Sequence, residues 1–192
     1  MNRAQLLRRG VASGALLTGA GSLAAVASAA APDADLASLR LVIATELLKL
    51  DFATQALASS KASSATTTLL KQLHADDTAH YNGLASVFTG AGQTPATAGD
   101  INFAYPAGSY ASDDSIAKLA WTLTTVALGA YLGVLENVQT PRFRTALAQI
   151  SANEAQQVSA VAQLVGKPVV GAAFGPALTA DQVTTVLDVY ES

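Results

Sequence analysis

The spacing of its helical stretches constrains this chain most: four long amphipathic segments are joined by a short link, a long link and a second short link. The first segment runs from about Asp35 to Ser59, with apolar residues at Leu36, Leu39, Ile43, Leu50, Ala53 and Leu57. That alternation of three and four is the signature of one buried helix face. The second runs from about Ser64 to Thr89, with Ser63 or Ser64 as its N-cap. The third opens at Ser112, has Asp113 and Asp114 in its first turn, where negative charge suits the helix dipole, and continues to about Val138. The fourth opens with Thr140-Pro141, a cap followed by proline at the first helical position, and ends near Gly166 with Pro168 beyond. A short final helix fits Thr179 to Tyr190, where Thr179-Ala180-Asp181-Gln182 reads as a capping box. Short links make antiparallel hairpins of segments one and two and of segments three and four. Gly90 to Ala111, rich in Gly, Pro and Ala, is far longer than such a link needs to be. An all-α bundle with one long crossover between its second and third helices accounts for it.

Polar residues interrupt the buried faces at mid-length. Glu46 falls between Ile43 and Leu50. In the second segment Asp77 and His80 fill the gap between Leu70, Leu73 and Leu84, Val87, and being three apart they point to one side of the helix. In the fourth, Glu154 and Gln157 fill the gap between Leu147, Ile150 and Val161, Leu164, and Glu154 is that helix's only acid. A buried charge is costly unless paired or coordinated, and opposed carboxylates need a cation, a shared proton or basic partners between them. Two arrangements meet that need. One is a bound divalent metal; the other is a hydrogen-bonded network with His80 protonated and Thr124 and Gln157 as neutral partners.

The third segment is apolar nearly all round: between Asp114 and Glu136 its only charge is Lys118. Periodicity leaves two stripes open, one of them carrying Thr124 with Ala117, Ala120, Ala127, Tyr131 and Val134. Such a helix can also face a partner helix in a homodimer. Tyr131 and Trp121 read as core residues, and Tyr105 and Tyr110 as packing residues that pin the crossover to the bundle. His74 with Asp76 reads as a solvated face, and Glu136 as a surface charge.

Composition excludes several functions. The chain has no cysteine, so disulfides, zinc–thiolate sites, iron–sulfur clusters and thiol nucleophiles are out. A net charge of −3 and the lack of a basic patch interleaved with aromatics argue against nucleic-acid binding. No serine triad or nucleophile elbow is visible. Residues 1–9 carry Arg3, Arg8 and Arg9 and no acid, 10–27 are small and apolar, and Ala27-Ser28-Ala29 gives a small-x-small cleavage site. Residues 1–30 therefore read as a secretory leader. Arg8-Arg9 before Gly10 resembles a twin-arginine signal, although Leu7 stands where Ser or Thr is usual. Export to the periplasm, cell envelope or exterior follows, and no membrane span is expected in the mature chain.

The stretch Ile101-Asn102-Phe103 through Pro106-Ala107-Gly108, then Ala130-Tyr131-Leu132-Gly133, then Phe174-Gly175-Pro176-Ala177-Leu178 with Gln182-Val183, resembles the bacterial ferritin-like domain related to plant desiccation-associated proteins. The resemblance covers roughly residues 36–188 and implies a ferritin-like four-helix bundle over residues 34–190. It also implies a ligand set of one Glu on each of two helices and Glu-x-x-His on each of the other two. Glu46 matches the first-helix Glu. Asp77-Thr78-Ala79-His80 matches the second-helix pair with Asp for Glu. Thr124 stands at the third-helix Glu position, seven residues before Tyr131, and Glu154-Ala155-Gln156-Gln157 matches the fourth-helix pair with Gln for His. Asp sets its oxygens back by about 1–1.5 Å relative to Glu. Three carboxylates and an imidazole suit no metal or a single divalent ion, iron or manganese, better than a di-iron centre. Two functions follow as expectations. The first is a non-catalytic exported scaffold connected with envelope stress or desiccation; the second is a metal-binding protein or oxidoreductase working at Glu46, Asp77, His80 and Glu154.

Overall fold

A computed structural model describes residues 31–192 except Phe174. The expected leader, residues 1–30, lies outside the described residues, as does Phe174 of the tail motif. The helices are α1 (Asp33–Ala58), α2 (Ser64–Gly90), α3 (Asp113–Asn137), α4 (Pro141–Leu164) and α5 (Ala180–Leu187), the last continued by a 3-10 turn over Asp188–Tyr190. No strand occurs among the described residues; Phe103 and Glu191 form one isolated antiparallel bridge.

Local chemistry sets the helix ends. Ser63 caps α2 by accepting from the Thr66 N–H, and its own N–H donates to the Asp113 carboxylate at the start of α3. Ser112 and Thr179 each form a capping box at α3 and α5. Thr140 does not cap α4 with its side chain, contrary to expectation. Instead the buried Asp35, in the first turn of α1, accepts from the backbone N–H groups of Gln139 and Thr140 at 2.8 and 3.0 Å. This carboxylate ties the α3–α4 turn to the start of α1.

Helix α1 packs against both α2 and α3, and α3 packs against α4. The shared core includes Leu36, Leu39, Ile43, Leu70, Leu84, Phe88, Ile116, Leu123, Phe143 and Leu147. Two expectations for α1 change: Leu50 and Leu57 are only half-buried, and Lys49, Phe52, Ala53 and Ala56 carry the inward face there. On α3 the Thr124 stripe is the buried one, joined by Ile116 and Leu123. By length and mean hydropathy α3 passes as a membrane span, yet half of its most apolar window is buried against its neighbours. That half serves the bundle.

The crossover is anchored along its length. The Tyr81 hydroxyl donates to the Ala96 carbonyl, and Tyr105 reaches the Asp51 carboxylate at 2.9 Å. Tyr105, Tyr110, Phe52 and Tyr190 form one aromatic cluster. The C-terminus pairs with the crossover through Ala104 N–H to the Tyr190 carbonyl and Ser192 N–H to the Asn102 carbonyl. The tail before α5 lies against α3, where the Leu178 N–H donates to the Gly129 carbonyl at 2.9 Å. At Gly133 a side chain would land on the Leu178 backbone, so only glycine allows this approach.

Candidate metal centre

Near the middle of the bundle, α1 presents Glu46, α2 presents Asp77 and His80, and α4 presents Glu154. The spacing within each helix explains the convergence, because each residue occupies a slot that apolar neighbours one turn away hold toward the core. One ligand atom from each of the four lies within 4.8 Å of the others. By distance this cluster can hold a divalent metal ion. Glu46, Asp77 and Glu154 are almost wholly buried, and His80 is 11% exposed.

A fifth residue changes the meaning of the cluster. Lys49, buried on α1 and off the apolar stripe expected for that helix, places its ammonium among the same oxygens. Nζ lies 2.8 Å from Asp77 Oδ1, 2.7 Å from both Glu154 Oε1 and Oε2, and 3.1 Å from Gln157 Oε1. Glu46 Oε2 is 3.8 Å away. An ammonium has three N–H donors, so these acceptors share them. A faint signal existed, because Lys49 follows Glu46 by three residues and so lies on the same side of α1. Leu50, one position on, satisfies the apolar spacing, so periodicity alone favours it over Lys49.

The remaining contacts complete the network. His80 Nδ1 lies 3.3 Å from Glu46 Oε1 and 3.2 Å from Glu154 Oε1. Its N–H is aligned with neither oxygen, so the attraction is that of an ion pair rather than a formed hydrogen bond. Tyr131 donates to Glu46 Oε1 at 2.5 Å, while Glu46 Oε2 has no hydrogen-bond partner. Gln157 Nε2 donates to Asp77 Oδ1 at 2.9 Å and to Asn153 Oδ1 at 3.0 Å. Thr124 takes no part: its hydroxyl donates back to the Ala120 carbonyl of its own helix, at 2.9 Å. Of the two neutral partners expected, only Gln157 joins. His74 and Asp76 stay outside the cluster: His74 lies 3.5 Å from the Thr54 hydroxyl, and Asp76 accepts from Gln72. Glu136 is exposed, and the half-buried Trp121 ring carries the Lys167 ammonium over its face.

The electrostatics follow from three carboxylates facing two cations. Burial opposes the charge on Lys49, but Asp77, Glu154 and Glu46 outweigh it and hold the ammonium more firmly protonated than a free lysine. Burial also opposes charge on His80, and the Glu154 and Glu46 carboxylates reverse this, raising it to about 9. Burial pushes Glu154 up, but Lys49 and His80 bring it below the usual range. Asp77 goes the other way: burial, with Glu46 and Glu154 nearby, raises it to about 7 against the pull of Lys49. Below about pH 7 Asp77 takes up a proton, which leaves the buried group neutral overall; above it the carboxylate faces the Lys49 ammonium.

Three helices of the bundle thus bring together four side chains that could hold a metal ion. The family model described as "Ferritin-like domain" matches residues 34–167. The chain belongs to the ferritin-like domain family. No curated protein matches it.

A ferritin-like site implies two metal ions, and the side chains of this member do not fit a pair. Thr124, which the sequence resemblance sets at the third-helix carboxylate position, is bonded to its own helix, and Gln157, which it sets at the fourth-helix imidazole position, is bonded to Lys49 and Asp77. The ammonium already takes lone pairs from two of the four ligands that remain.

Proposed function

We propose that this chain is an exported, non-catalytic ferritin-like scaffold in which the Lys49 ammonium supplies the positive charge that a metal supplies elsewhere in the fold. One observation carries the reading: Nζ sits 2.7–2.8 Å from Asp77 and Glu154 inside the bundle. A cation tethered to α1 neutralises the carboxylates without occupying an open coordination position, so no site for oxygen activation is left. Export rests on the Arg8-Arg9 and Ala27-Ser28-Ala29 features of the first thirty residues. A role in envelope stress or desiccation is part of the same proposal and rests on the family resemblance alone.

The test is metal content of the purified chain from iron- and manganese-supplied cells. Wild type should carry less than about 0.1 metal ion per chain by elemental analysis, and its melting temperature should not respond to added manganese. Lys49→Met exposes the same carboxylates without their internal cation, so its melting temperature should rise with added manganese. One ion per wild-type chain, lost in Asp77→Ala, would overturn the scaffold reading.

A second reading, a single divalent ion that displaces Lys49, has its own support. Glu46 Oε2 lacks a hydrogen-bond donor and His80 Nδ1 is aligned with no acceptor. The same measurement decides between the two.

A further inference from the structure

A lysine ammonium held against a carboxyl group in a dry core is one proton transfer and one dehydration from an amide. We propose that Lys49 and Asp77 condense into an intramolecular isopeptide bond that staples α1 to α2 at mid-bundle, with Glu154 as proton shuttle and Gln157 as the donor to the carbonyl oxygen. The inference rests on the reading above, in which Lys49 rather than a metal holds the centre, with the Lys49–Asp77 ion pair as the state from which the bond forms.

Each part of the reaction has its group in place. The nucleophile Nζ is 2.8 Å from Asp77 Oδ1, and both residues are almost fully buried. Fixed proximity of this kind replaces a bimolecular encounter by an intramolecular one. Both Glu154 oxygens lie 2.7 Å from Nζ, so this carboxylate can take protons from the nitrogen and return them nearby. Gln157 Nε2 donates to Asp77 Oδ1 at 2.9 Å, where negative charge grows as the carbon becomes tetrahedral. The Gln157 amide is held in that orientation by Asn153. Beside Lys49 and Asp77 lies a cavity of about 10 Å³, lined also by Phe52, Leu70, Leu123 and Thr124. That is close to the space one water needs.

The balance closes without any added reagent. Glu154 passes one ammonium proton to the Asp77 carboxylate, and the neutral amine attacks Cγ. A second nitrogen proton moves through Glu154 to the departing oxygen, which leaves as water. A C–N bond forms and a C–O bond breaks; an ammonium and a carboxylate become a neutral amide and one water, with no change of oxidation state. In bulk water this equilibrium favours the separate ions. Inside the bundle the loss of two buried charges favours the amide.

Intact-mass spectrometry of the purified mature chain tests this directly. The chain should weigh about 18 Da less than its sequence, the mass of one water. Tandem spectra of a digest should give a branched peptide joining Lys49 to Asp77. Lys49→Arg and Glu154→Gln should each have their full sequence mass. Asp77→Asn should lose ammonia instead, a deficit of about 17 Da. Wild type at full sequence mass after prolonged incubation overturns the proposal, whether or not the variants fold, and so does a branch at Glu154 in place of Asp77. Full mass with no bound metal would remove the crosslink and leave the scaffold reading standing. Full mass with one metal per chain would remove both.

Discussion

Lys49 is the residue on which the chemistry of the bundle turns, and local pattern could not reveal it. A lysine three positions after a buried Glu is ordinary on a solvated helix face; only the positions of α2 and α4 show that its ammonium ends among Asp77, Glu154 and Gln157. Glu46, Asp77, His80 and Glu154 were legible because each breaks an apolar stripe, and their convergence followed from the fold. The pairing of Tyr131 with Glu46 was half legible: its stripe was visible, its partner was not. Removing the cation leaves its carboxylate partners buried together, so Lys49→Met should cost about 3 kcal/mol in denaturant unfolding at low metal. The charge on His80 predicts a pH response of definite sign. Its folded value, about 9, lies above the unfolded reference of 6.5. The stabilisation is therefore fully present below about pH 6.5 and lost as pH rises through 9. While its carboxyl is free, Asp77, raised to about 7 by burial, acts in the same sense at lower pH. Chemical denaturation between pH 6 and 9 should show stability falling by roughly 2–3 kcal/mol, and His80→Gln should flatten that slope. A flat wild-type profile would mean that His80 is neutral in the folded chain.

Among the elements, the third helix carries the largest difference between pattern and use. Its all-round apolarity left a free flank for a partner helix, but the chain's own tail lies on part of it, through Leu178 against Gly129 and Gly133. Gly133→Val must push the Leu178 backbone away. The expected result is a loss of about 1–3 kcal/mol together with faster proteolysis between Lys167 and Thr179. The α3–α4 turn depends on a carboxylate from another helix. Asp35→Ala leaves the Gln139 and Thr140 N–H groups without their acceptor, and thermal unfolding should report a loss of about 1–3 kcal/mol. Sequence could place Thr140-Pro141 at the start of a helix, but not the distant residue that satisfies the turn.

For the molecule as a whole, the short–long–short pattern of connections was enough to specify a bundle of two hairpins and a crossover, and the match to the ferritin-like family over residues 34–167 agrees with it. The long crossover is held by aromatic contacts and by pairing with the C-terminus. Under the export proposal, N-terminal sequencing of protein recovered from outside the cytoplasm should begin within a residue or two of Ala30. Recovery of the intact leader from that fraction would count against cleavage.

Helix periodicity, capping residues and link lengths are local properties, and they determined the helices, their pairing and the faces that carry Glu46, Asp77, His80 and Glu154. What neutralises those groups is not local. Lysine has a long, flexible stem that reaches water or the core equally well, so its destination depends on side chains contributed by three helices at once. Tertiary structure alone decided that the cation at the centre belongs to the chain itself, because only there are the distances between α1, α2 and α4 set.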